Sequence, residues 1–176
     1  MAEVATITVL DSQGVEREVP TLLSVEEKLT AFSASADFTP AASSHAAGDC
    51  VGAAQEFTSM GNSGKRIVLT GASLLIASSA AVASAFRLHL YNVTPPSAIA
   101  DDNVFNIPSG DRASYLGFVD LGAPTDWGDT LYCEVNGILK PVLLSGTSLF
   151  GYLTNLTTVT LAAVAHKVTL HSEPRS

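Results

Sequence analysis

The segment nearest to recognisable chemistry is Gly61-Asn-Ser-Gly64-Lys65-Arg66. A phosphate loop needs a Gly five residues before its Gly-Lys pair and a Ser or Thr after the Lys, so that backbone N–H groups cradle phosphate and a hydroxyl meets Mg²⁺. Ser59 and Arg66 occupy those places, so the segment reads as a polar hairpin tip. The four histidines are His45, His89, His166 and His171. None has a second histidine or a carboxylate at a metal-ligand spacing, and they are expected at solvated or subunit-contact positions. His166 and His171, five apart on one expected strand, fall on opposite faces. There is no G-x-S-x-G for a nucleophilic serine.

Asp101, Asp102 and Asn103 offer oxygens but lack the Asp/Asn alternation and distal Glu of a calcium hand, so a solvated turn is expected. Trp127 sits between Asp126 and Asp129. A loop aromatic of this kind caps a core more often than it stacks on a sugar ring. A hydrolase of polysaccharides would need two positioned carboxylates, and Glu56 and Glu134 are the in-strand pair worth testing. Asn92-Val-Thr and Asn155-Leu-Thr match the glycosylation triplet, which carries little weight without a secretory signal. From these residues no catalytic group, metal site or cofactor is assigned.

The elements that must position these residues are β-strands. Between Arg66 and Arg87 lies an uncharged stretch long enough, as a helix, to cross a bilayer. Its Ser, Thr, Gly and Ala content weakens that reading, and its β-branched and aliphatic start suits a buried strand. Two core strands and a small-residue connection are expected there. The remaining candidate strands span 38–42, 50–57, 114–121, 131–135, 139–144, 148–152 and 159–170, with turn residues between them. Asn136-Gly137 is the strongest hairpin signal. Phe86, Leu88 and Leu90 fall on one face of their strand, opposite Arg87, His89 and Tyr91. In the last run the apolar parity changes, which a bulge near Ala162–Ala163 would reconcile.

Residues 1–32 differ from the rest. VATITVL, DSQG and VEREVP read as a hairpin, and Ser24 with Glu27 fits a capping box opening a short helix. This arm holds six acids against two bases and is too small for a core of its own. Residues 33–176 form the second unit, an all-β sandwich. No secretory signal is read at the N-terminus.

The totals favour an assembly. Among 176 residues, 47% are hydrophobic and only 15% charged, below the usual quarter, so outer surface is expected to be buried against other subunits. The net charge of −8 argues against nucleic acid and against an anionic membrane as partners. Cys50 and Cys133 have no paired spacing, and two buried free thiols are expected.

The segments DFTPAASSHAAGDCVGAAQEF (37–57), FRLHLYNVTPPSAIADDNVFNI (86–107), SYLGFVDLG (114–122) and LSGTSLFGYLTNL (144–156) resemble a family of structural proteins of tailed bacteriophages and prophages. YNVTPPSAIADDN followed by SYLGFVDLG is the most specific part. The resemblance implies a virion component, made in the bacterial host cytoplasm, that decorates or cements the capsid shell, and it transfers no catalytic residue. The expectation is therefore a non-enzymatic decoration protein with a sandwich of jelly-roll type. Its partners would be the major capsid protein and copies of itself, as a homotrimer, since capsids present three-fold positions. Val4, Ile7 and Val9 of the arm are the candidate subunit contacts, as a strand added to a neighbour's sheet. The alternative is a receptor- or carbohydrate-binding module of a tail or head fibre, with Trp127, Tyr115 and Tyr152 converging.

Overall fold

The computed structural model describes residues 5–10, 16–21, 31–78 and 82–175, the first two segments as backbone. In chain order the strands are β1 (Ala5–Leu10), β2 (Glu16–Thr21), β3 (Phe32–Phe38), β4 (Ser44–His45), β5 (Gln55–Phe57), β6 (Arg66–Ala77) and β7 (Phe86–Tyr91). There follow β8 (Tyr115–Gly122), β9 (Thr125–Asp126), β10 (Thr130–Leu143), β11 (Leu149–Asn155), β12 (Val159–Thr160) and β13 (His166–Arg175). One 3₁₀ turn, Ser109–Asp111, is the helical element among the described residues. The short helix expected after Ser24 lies outside them.

The strands build an all-β sandwich. One sheet has the order β3-β13-β6-β10-β9 and the other β5-β11-β7-β8, and all pairings are antiparallel. Alternation explains the packing: Ala34, Ala36 and Phe38 of β3 point inward, as do Ala72, Leu74 and Ile76 of β6 and Val168 and Leu170 of β13. They meet Phe57, Phe86, Leu88, Leu90 and Leu153 of the facing sheet in one core. Each large side chain so buried contributes roughly 1.5–3 kcal/mol.

The uncharged stretch does form two strands and a connection, but β6 and β7 belong to different sheets. The two strands are therefore not the arms of one hairpin. Phe86, Leu88 and Leu90 line the main core as their parity predicts. The opposite face of β7 is not solvated, however. Tyr91 joins Cys50, Ile99 and Tyr152 in a second apolar cluster, with Phe105, Tyr115 and Phe150 packed against it. Within it the Tyr152 hydroxyl accepts from the Ile99 N–H at 3.0 Å.

Asn136-Gly137 does not turn a hairpin. Residues 130–143 run as one strand along β6, with the register shifting between Asn136 and Lys140. Gly137 at φ +70° and Leu139 at φ +50° absorb the extra residues. The conformational freedom that makes Asn-Gly a turn former serves a bulge equally well, and the long partner β6 pairs on both sides of it. The segment 159–170 is likewise interrupted, by a bend after β12. The buried parity then changes from Val159 and Leu161 to His166, Val168 and Leu170, and Val164 is left exposed. The strand expected at 38–42 lies earlier, at β3. The one expected at 50–57 is reduced to β5, because Gly52 at φ +73° packs on the Thr39 backbone, where a Cβ would come within 3.1 Å.

β1 and β2 form a two-stranded ribbon of their own, with Ile7 opposite Val19 and Val9 opposite Arg17. Ile7 and Val9 thus use one strand edge within the arm. Val4 lies outside the described residues. Among the described residues no helix is long and apolar enough to cross a membrane.

Candidate functional site

The outer face of the five-stranded sheet is the most chemically furnished surface. Because β10, β6, β13 and β3 are in register, their outward positions form cross-strand rows. One row runs Tyr132, Leu75, Lys167, Asp37; the next Glu134, Ser73, Thr169, Ser35; the third Asn136, Gly71, His171, Ser33. Alternation sets hydroxyls, an amide, an imidazole, an ammonium and two carboxylates on this side, while the intervening residues enter the core.

At the β10 end of these rows Trp127 stacks on Tyr132, with ring centroids 4.9 Å apart and planes at 27°. The turn that holds Trp127 is closed by its own N–H donating to the Thr130 carbonyl at 2.8 Å and by Gly128 N–H donating to Asp126 Oδ1 at 2.8 Å. Trp127 remains 68% exposed. It does not cap the core: it belongs to neither apolar cluster.

Beside the aromatic pair, Glu134 accepts from the Tyr132 hydroxyl at 2.6 Å and from Asn136 Nδ2 at 2.5 Å. These two donors, with a smaller contribution from the His171 charge, lower the Glu134 carboxyl from its ordinary value. The same bond, to an acceptor already negative, raises the Tyr132 phenol. Gly71 leaves the surface shallow here, since a Cβ would meet Asn136 Oδ1 at 3.1 Å and the His171 ring at 3.5 Å. An aromatic platform beside fixed hydrogen-bonding groups suits a polyhydroxylated ring, whose apolar face stacks and whose hydroxyls bond.

Trp127 does not converge with Tyr115 and Tyr152. Those two tyrosines belong to the second cluster around Tyr91, in the other sheet, and Tyr132 is the partner that sequence reasoning missed. The five-residue spacing from Trp127 across a Gly-Asp turn to β10 is the signal that would have found it. Glu56 and Glu134 lie in different sheets, both exposed, and are not brought together as a carboxylate pair.

Three of the four histidines are buried rather than solvated. His45 and His166 are fully enclosed, His89 nearly so, and His171 is exposed, which puts His166 and His171 on opposite faces of β13. His89 stacks on Phe105 at 3.7 Å and shares a hydrogen bond with the Tyr115 hydroxyl at 2.9 Å. Burial, reinforced by the Arg87 charge, pushes its pKa down to about 4. Burial, then the nearby His45, lowers His166 as well.

Asp101 is a clamp rather than a solvated turn. Its carboxylate accepts from the N–H groups of Ala41 at 2.7 Å and Gly52 at 2.6 Å, and pairs with His45 Nε2 at 3.0 Å. Partial burial opposes ionisation, but the three bonds together hold the carboxyl below its usual range. Asn155 is committed too, its Nδ2 donating to the carbonyls of His45, Ala46 and Thr157. Among the described residues no cluster of three His, Cys, Asp or Glu is arranged to hold a metal ion. Cys50 and Cys133 are free thiols, buried and half-buried respectively, and burial pushes them up to about 12 and about 11.

No family model matches the chain, and no curated protein matches it. Among solved structures it is similar to a chain in the structure of the infectious bursal disease virus Gt strain, at 10% identity and a TM-score of 0.18, over 99% of this chain and 47% of that one. This chain spans about half the length of that viral chain, and a likeness at this level carries no argument about function.

Proposed function

We propose that the protein is a non-enzymatic structural component of a tailed-phage particle that decorates or cements the capsid, binding the major capsid protein and copies of itself. The observation that carries this reading is the strand order. Counting only the eight main strands, β3, β5, β6, β7, β8, β10, β11 and β13, as first to eighth, the sheets read 1-8-3-6 and 2-7-4-5. First pairs with eighth, second with seventh, third with sixth and fourth with fifth, an antiparallel ribbon wound on itself. That order supports the jelly-roll reading, an architecture that recurs in viral capsid and lectin domains. Fold alone does not assign function; the phage-like segments at 37–57, 86–107, 114–122 and 144–156 and the low charge supply the rest.

Exposed apolar side chains agree with a surface made for contact. Leu139 is 71% exposed at a left-handed φ that an L-residue adopts at a cost, and Phe118, Leu143 and Val104 are exposed as well. The test is cosedimentation of the purified protein with capsids of the source phage that lack it. Saturable binding at a fixed ratio to the major capsid protein is expected, and failure to bind such capsids overturns the reading.

A second reading, a glycan-binding module on a tail or head fibre, is favoured by one specific observation: the exposed Trp127–Tyr132 stack beside the Glu134–Asn136 pair.

A further inference from the structure

The chain has nine lysines and arginines and a net charge of −8. Three of those cations, Lys65, Arg66 and Arg175, line a single groove of about 660 Å³ at one end of the five-stranded sheet. Its accessible apolar lining comes from Pro141, Leu143 and Pro174, with Ile67 buried beneath. Arg66 and Arg175 stand directly opposite each other on adjacent strands, and Leu143 faces Arg66 from the other side. Like charges so placed repel. Among the described residues no ion pair neutralises any of the three, whereas Arg87 is paired with Asp120 at 2.6 Å. A protein short of positive charge has therefore gathered it, unpaired, around a partly apolar groove.

The acid that matches it is in the chain's own arm. Residues 1–32 hold six acids and two bases, and the arm enters the sandwich at β3. The first residue of β3, Phe32, is in register with Ser172, three residues from Arg175 along β13 and hence on the order of 10 Å away. The ribbon register places Thr6, Thr8, Leu10, Glu16, Glu18 and Pro20 at positions of one face, so that it carries two acids among hydroxyl and apolar residues. A two-stranded ribbon is marginal by itself in water and needs a surface to cover it.

We propose that the cationic groove of Lys65, Arg66 and Arg175 receives the acidic face of the β1–β2 ribbon, Glu16 and Glu18, from a second copy of this chain. Carboxylates seated there turn the Arg66–Arg175 repulsion into attraction. An arm rooted beside its own groove is placed for reciprocal exchange between two copies, and the low charge and the exposed Leu143 of the groove call for surface shared between subunits.

The experiment uses the full chain and no capsid, so its outcome is independent of the virion reading. Size exclusion with light scattering is expected to show wild type associating, and raising the salt from about 0.05 to 0.5 M should weaken that association. K65E/R66E/R175E and E16K/E18K should each raise the dissociation constant at least tenfold while keeping the wild-type circular dichroism, since the three groove residues are exposed. Mixed one to one, the two variants present complementary charges in both directions and should associate again as even-numbered oligomers. Wild type that stays monomeric overturns the proposal, as does a groove variant that associates like wild type. Variants that dissociate singly but do not associate when mixed overturn the assignment to a second copy.

Discussion

Trp127 lies against Tyr132 with 4.9 Å between ring centroids, and the Tyr132 hydroxyl in turn donates to Glu134 at 2.6 Å. A side chain on a turn is thereby coupled to a carboxylate fixed on a strand. The stack orients the phenol, the phenol and Asn136 orient Glu134, and the outer indole face stays open to solvent.

If this surface binds glycans, Trp127→Ala should weaken binding about 10-fold or more, and Glu134→Gln should weaken it less, because the amide keeps one acceptor. Glycan arrays followed by calorimetry on any hit would measure both. The Trp127 change should move stability by less than about 1 kcal/mol, since the residue is largely exposed. Unaltered glycan binding in Trp127→Ala would remove this surface from consideration.

Gly151 sits where the central strands of the smaller sheet leave no room for a side chain. A Cβ there would lie 2.9 Å from the His89 carbonyl oxygen and 3.1 Å from Leu88 Cδ1. Backbone cannot give way as a flexible side chain can, so Gly151→Ala should cost about 1–3 kcal/mol. Urea titration is the measurement, and an unchanged midpoint would show that β7 and β11 are less closely packed than described.

Asp101 ties together residues 41, 45 and 52 through a single carboxylate. Asp101→Asn retains one oxygen acceptor and loses the charge, with an expected loss of about 1–2 kcal/mol. Because the folded carboxyl is lowered, its contribution is present above the unfolded value and is lost as pH falls through the folded one. The difference between wild type and Asp101→Asn should therefore shrink in strong acid, which melting curves taken from pH 6 down to 2 would test.

His89 gives a second pH window, higher than the first. Its folded pKa is pushed down to about 4, so the neutral ring is favoured in the fold. The unfolded chain takes up the proton first, and stability present above about 6.5 is lost as pH falls toward 4. With partial solvent screening the loss should be about 1–3 kcal/mol. His89→Gln should flatten that slope, leaving the share due to His166, which shifts the same way. A slope unchanged in His89→Gln would place the titration elsewhere.

Much of the architecture was legible in the sequence because it rests on period-two alternation, a local signal. The strands at 66–77, 86–91 and 115–122 are dense in branched and aromatic residues between turn formers, and they formed as read. β3 was harder to read: FSASADF buries only small alanines before Phe38, so its alternation carries little hydrophobic contrast. Asn136-Gly137 misled because positive φ is a property of the dipeptide, while turn or bulge is decided by whether the partner strand continues alongside.

The candidate site was less legible than the fold. Composition and order alone determined an all-β chain poor in charge, with an acidic arm. Only the tertiary structure decided which sheet each strand joined. That choice separated Trp127 from Tyr115 and Tyr152, drew it to Tyr132, enclosed three histidines, and set Arg66 against Arg175. The reason is physical: alternation says which side of a strand a residue occupies, but the cross-strand register and the face-to-face packing of two sheets decide what lies there.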